Sequence, residues 1–158
     1  MIRRTGAVLF VAFLLVTLFL YRREEKRRLA EYRGLLRLIS HIRDTLAVSP
    51  RPLSEIYATF TDGALERSGL LSVLKARGLA AALDEKPLSL SEEDAYLLKE
   101  YAAALGGRPY AEEKNKTEEI YRHLSARHAE RELLVPKRLK LVGTLFLSGG
   151  MLFLLLLL

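Results

Sequence analysis

The chain has 158 residues, no cysteine, 25 Lys and Arg against 19 Asp and Glu, and a net charge of +6. Without cysteine there is no disulfide, no thiolate nucleophile and no cysteine metal site, which suits a cytoplasmic domain. The charge distribution excludes more than its total does. Residues 5–21 and 141–158 carry no charge, and apart from Arg3 and Arg4 every charged residue lies between them.

As a helix, each uncharged run would be roughly 26 Å long, close to the hydrocarbon thickness of a bilayer. Residues 1–21 therefore read as a transmembrane anchor with a short tail. Arg3 and Arg4 ahead of an apolar stretch also resemble a secretory signal. The sequence Phe19-Leu20-Tyr21-Arg22 lacks the small residues that a signal peptidase requires, so the anchor is expected to stay uncleaved. Arg22, Arg23, Lys26, Arg27 and Arg28 follow this run, and Lys137, Arg138 and Lys140 precede the second. The positive-inside bias places residues 22–140 in the cytoplasm and both termini across the membrane, with Tyr21 in the aromatic belt. Basic residues concentrated beside two apolar runs fit anionic lipid headgroups better than nucleic acid.

The central domain reads as helices. From Arg22, an apolar stripe at Leu29, Tyr32, Leu36, Ile39, Ile42 and Leu46 steps by three or four, widened by Leu35 and Leu38. It predicts an amphipathic helix continuous with the first span. Ser49-Pro50-Arg51-Pro52 ends it, because proline withdraws a backbone donor and biases the preceding residue away from helix. A second helix opens near Leu53 and runs through Ile56, Tyr57 and Phe60, and Asp62-Gly63 is a turn. Residues 65–83 form a looser helical region that Gly69 and Gly78 interrupt, each costing about 1 kcal/mol against Ala in a helix interior. Ser91-Glu92-Glu93-Asp94 resembles a capping box. The helix behind it is expected to bury Tyr96, Leu97, Leu98, Tyr101 and Leu105 and to end at Gly106-Gly107. After Pro109 a long helix runs from about Tyr110 into the span of residues 141–158, with Pro136 as an expected kink. Gly143, Gly149 and Gly150 give that span small faces. No segment alternates with period two for long enough to be a strand. The expected architecture is all-α, an antiparallel helical bundle between two terminal transmembrane helices.

No catalytic constellation is evident. There is no phosphate loop, since Gly106-Gly107 follows a helix instead of opening one. His123 and His128 are five apart, about 140° around a helix, which is not the spacing of a helical zinc site. Glu119 and Glu132 lie four residues from these histidines and could pair with them. His41 reads as a half-buried packing residue. The runs Glu92-Glu93-Asp94 and Glu112-Glu113 read as solvated faces. No enzyme activity, cofactor, metal, nucleic acid or small-molecule substrate is expected.

The order of these elements resembles the stage III sporulation protein AB family of endospore-forming Firmicutes. The likeness covers most of the chain: the N-terminal span with Gly6 and its basic sequel, the Leu35–Ile42 helix, and Pro52-Leu53-Ser54-Glu55-Ile56. It continues through the acid-led helix Ser91–Leu105 ending in Leu105-Gly106, the charged helix to Glu132, and the glycine-containing last span. The chain departs from the family in a shorter stretch between Thr61 and Leu90. Ala111-Glu112-Glu113-Lys114 stands where a glutamine is expected, and Leu141-Val142-Gly143 represents the Leu-Gly lead-in to the last span. The resemblance implies a helical domain similar to the cytoplasmic domain of the type II secretion platform protein F. It also implies a non-enzymatic role in the channel complex linking mother cell and forespore, in the mother-cell membrane around the forespore. The implied partners are a cytoplasmic secretion-type ATPase, other membrane proteins of that complex, and membrane lipids. Two alternatives stay open: a platform-type protein of a pilus or secretion system, whose members carry two copies of the helical domain, and a membrane-anchored regulatory protein. An adaptor needs a surface away from the lipid. The turns Ser49–Pro52 and Gly106–Tyr110, with Arg51, Arg108 and Tyr110 exposed on them, are the expected partner surface.

Overall fold

The computed structural model describes residues 2–157, apart from the side chains of residues 2–5, 7, 8 and 153–157. Among the described residues seven helices follow in order: α1 (Ile2–Val48), α2 (Leu53–Thr59), α3 (Gly63–Arg67), α4 (Leu70–Arg77), α5 (Leu79–Glu85), α6 (Glu92–Ala104) and α7 (Tyr110–Leu157). Among the described residues there is no strand, so the chain is all-α. It divides into two compact units, Met1–Arg27 with Glu130–Leu158, and Arg28–Ala129. Among the described residues no helix is long and apolar enough to cross a membrane. The expected spans, residues 1–21 and 141–158, fall partly outside those residues.

The unit Arg28–Ala129 owes its core to the stripe read from α1. Tyr32, Leu35, Leu38, Ile39, Ile42 and Leu46 are all buried, whereas Leu36 sits at the edge and is half-buried. These side chains are joined by Leu65 of α3, Leu70 and Leu74 of α4, Leu79 and Leu83 of α5, Leu98 and Tyr101 of α6, and Ile120 and Leu124 of α7. Short helices surround the α1 stripe because each is too brief to hold itself together and is stabilised by its buried apolar face.

Local signals set where the helices stop and start. Asp62 does not merely turn the chain: its carboxylate accepts from Ala64 N at 2.9 Å and Leu65 N at 3.1 Å, capping α3. The looser region is therefore three helices, broken at Ser68-Gly69 and at Gly78. Gly78 has φ +86°, a conformation that L side chains rarely adopt, and this lets α5 leave α4 without an intervening loop. Ser91 caps α6 as expected, its Oγ accepting from Asp94 N at 3.2 Å. Pro136 lies inside α7, which is helical on both sides of it.

Three expectations about faces are corrected. Tyr96 is 72% exposed, not buried. The buried positions of α6 are Asp94, Leu98, Tyr101 and Ala102, and Tyr96 stands two residues from the first two, on the opposite side of the helix. Asp94 and Glu113, expected in solvated acidic runs, are both buried. Asp94 Oδ1 lies 3.3 Å from His123 Nε2, and neighbouring Glu93 pairs with Arg127 at 2.6 Å, so the start of α6 is fastened to α7. His123 thus meets Asp94, while Glu119 pairs with Lys116 at 3.0 Å.

Candidate partner surface

The two turns expected to form a partner surface are brought together by the packing of their flanking helices. Pro50 and Pro52 end α1 and start α2, while Gly106, Gly107 and Pro109 separate α6 from α7. The Tyr110 hydroxyl, at the first residue of α7, donates to the Leu46 carbonyl in the last turn of α1. A Cβ added at Gly106 would stand 2.9 Å from Leu53 Cδ1, so the first residue of α2 rests directly on this glycine. Gly106 also has φ +86°, so any other residue there would be strained as well as crowded.

A buried polar network supports the turn from inside. Gly106 N donates to Glu113 Oε2 at 3.1 Å, and Arg108 Nη1 lies 3.8 Å from Glu113 Oε1. Thr117 Oγ1 donates to the Glu113 carbonyl at 2.8 Å and lies 2.8 Å from the Tyr101 hydroxyl. Threonine has one hydroxyl proton, and Glu113 O takes it, so Tyr101 is the donor to Thr117. Burial pushes the Tyr101 phenol well above its ordinary range, and burial likewise pushes Tyr57 up to about 12. Both therefore remain neutral hydrogen-bonding groups at physiological pH.

The three named residues consequently have different roles. Arg108 is not exposed as expected. Its side chain keeps only 21% of its accessible area, with Nε 4.0 Å from Glu112 Oε1 and Nη1 turned toward Glu113. A buried carboxylate needs a partner cation, and Glu113 draws Arg108 inward. Arg51 is exposed, its Nε 3.3 Å from Ser49 Oγ, and it makes no ion pair among the described residues. Tyr110 is 40% exposed, with its ring edge available although its hydroxyl is engaged.

The structure adds Val48, 82% exposed at the end of α1. Periodicity gives no sign of it, because Val48 follows the last stripe residue, Leu46, by two positions and so leaves the buried face. Val48, Arg51, Asp44, Thr45 and Ser49 line a shallow hollow of about 290 Å³. The surface thus combines an exposed guanidinium, an exposed aliphatic group and a half-exposed tyrosine. Nearby, Arg43 stacks 4.0 Å over the Tyr121 ring and binds Asp44 at 2.8 Å, which raises its pKa first through that hydrogen bond. That side of the hollow is therefore held in place.

Histidine positions offer no competing site. His41 Nε2 donates to Ile56 O at 3.2 Å and lies 3.1 Å from Thr59 Oγ1, tying α1 to α2. His128 is buried with its ring 5.6 Å from that of Tyr32. Among the described residues no three His, Cys, Asp or Glu side chains gather in a way that could hold a metal ion. No family model, curated protein or solved structure matches this chain.

Proposed function

We propose that the chain is a non-enzymatic, membrane-anchored adaptor of the mother cell–forespore channel complex, presenting its helical unit to a secretion-type ATPase. The observation that carries this reading is the convergence of the α1–α2 and α6–α7 turns into one surface containing Val48, Arg51 and Tyr110. Arginine and tyrosine are over-represented among interface anchors, and the exposed Val48 adds apolar contact area beside them. The order of elements, all-helical and in the sequence of the resembling family, supports the same reading. The two uncharged terminal stretches with basic residues inside them support membrane attachment at both ends. A double anchor suits an adaptor, since it fixes the height and orientation of the helical unit beside a membrane-embedded machine.

The test is co-purification of the full chain with the secretion-type ATPase encoded beside it. Val48→Asp combined with Arg51→Glu changes only exposed side chains, so helicity should be retained while at least 10-fold of the affinity is lost. Wild-type affinity in that double variant would reject the surface. Absence of any such ATPase gene nearby, with no ATPase retained by the wild-type chain, would reject the adaptor reading itself.

A further inference from the structure

The unit Met1–Arg27 with Glu130–Leu158 is apolar on its outside as well as between its helices. Leu9, Phe13, Val16 and Leu20, one face of α1, are each more than half exposed. Within this unit α1 and α7 approach closely at two glycines. A Cβ at Gly150 would stand 2.7 Å from Leu14 Cδ1, and one at Gly143 would stand 3.3 Å from Arg22 Nη2. These contacts set an antiparallel register, in which going from Leu14 to Arg22 means going from Gly150 back to Gly143.

Beside that seam lies a groove of about 460 Å³, lined by Val11, Leu15 and Leu18 from α1 and by Thr144, Ser148 and Met151 from α7. Its two hydroxyls are already used: Thr144 Oγ1 donates to Lys140 O at 3.0 Å, and Ser148 Oγ donates to Leu145 O at 3.3 Å. The groove therefore presents apolar chemistry only, at a volume within the range of about 300–1,000 Å³ typical of ligand sites. Arg22 stands one helical turn beyond Leu18, at the groove's end, and is exposed. Neither it nor Arg23, Lys26, Lys137, Arg138 or Lys140 has an ion pair among the described residues. Of the two acids beside Arg22, Glu24 is taken by Arg27 at 2.8 Å, and Glu25 makes no ion pair among the described residues.

We infer that this groove holds an acyl chain of an anionic phospholipid whose phosphate pairs with Arg22. The site rests on the reading of the terminal helices as membrane-embedded. An apolar slot ending at unpaired guanidinium and ammonium groups matches one ligand that carries both a hydrocarbon chain and a phosphate. A third apolar helix would fill the slot but would cover Arg22 without neutralising it, and an unpaired buried charge is strongly unfavourable.

The experiment is native mass spectrometry of the full chain in mild detergent, with phosphatidylglycerol or phosphatidylcholine of identical acyl chains added. One phosphatidylglycerol should be retained per chain, with phosphatidylcholine retained at least 10-fold less. Arg22→Gln, at an exposed position, should bring the two lipids to equal retention, and Ser148→Trp should reduce both by filling the slot. Equal retention of the two lipids by the wild-type chain, unchanged selectivity in Arg22→Gln, or a lipid-free dimer would overturn the site. Alkaline carbonate extraction separates the two claims. A chain released from membranes fails the membrane reading and the site with it, whereas a chain that stays embedded but shows no lipid selectivity fails the site alone.

Discussion

Gly34 and Asp62 are fitted to each other: a Cβ at position 34 would stand 2.7 Å from Asp62 Oδ1 and 2.9 Å from Leu65 Cγ. The same Oδ1 caps α3, while Oδ2 accepts from Arg37 Nη1 at 3.0 Å. Glycine in the middle of α1 is thus explained by the buried carboxylate that packs against it, and two effects oppose each other on substitution. Alanine would improve helix propensity by about 1 kcal/mol. Overpacking costs about 1–3 kcal/mol, and here two groups, one of them a capping oxygen, would have to yield. Gly34→Ala should therefore lower stability in denaturant titration, and a more stable variant would show that α3 moves away without loss.

The Asp62 interactions can be ranked in the same assay. Asp62→Ala removes the cap of α3 and should cost about 1–2 kcal/mol. Asp62→Asn keeps an acceptor for Ala64 N and Leu65 N and should cost less. Arg37 is 64% exposed, so Arg37→Ala should cost no more than about 1 kcal/mol. If Arg37→Ala were the most damaging of the three, the ion pair and not the cap would hold this junction.

Alkaline pH should destabilise the helical unit through its buried phenols. Tyr57 titrates ordinarily at 10.0 and is pushed up to about 12 in the fold by burial. Its folded pKa is raised, so its stabilising contribution is complete below about pH 10 and lost as pH climbs toward 12. A shift of that size corresponds to about 3 kcal/mol. Tyr101 shifts in the same direction for the same reason. Circular dichroism should show helix loss across this window, and Tyr57→Phe should diminish the pH dependence. A flat profile to pH 12 would refute the buried-phenol account.

The two faces of α6 should respond oppositely to truncation. Leu98 is fully buried, and Leu98→Ala should cost about 2–5 kcal/mol. Tyr96, on the outer face, should tolerate alanine within about 0.5 kcal/mol. A large loss at Tyr96 would mean that this exposed ring is covered in the working protein, which a gain in protease sensitivity would also reveal.

The central segment is expected to face the cytoplasm, since eight basic residues, Arg22 through Arg28 and Lys137 through Lys140, border it against Arg3 and Arg4 outside. Reporter fusions at Leu158 should be active only when the reporter works outside the cytoplasm. The reverse pattern would invert the proposed topology and remove the ATPase from reach of the partner surface.

By itself the sequence determined the helical class, the α1 stripe, the Ser91 cap, and the proline and glycine breaks, because each is a local or periodic signal between near neighbours in the chain. The start of α7 at Tyr110 and the end of α6 before Gly106 were legible for the same reason. Only tertiary structure decided which polar groups were taken inward. Asp94 and Glu113 look like surface acids in one dimension, and only the approach of α7 to α6 and the return of the α6–α7 turn supply the cations and donors that make their burial tolerable. Arg108 follows Glu113 inward, leaving Arg51, Val48 and Tyr110 outside. The spacing of residues along a helix fixes which side chains share a face. Which face meets another helix depends on contacts between residues far apart in sequence, and those exist only once the chain has folded.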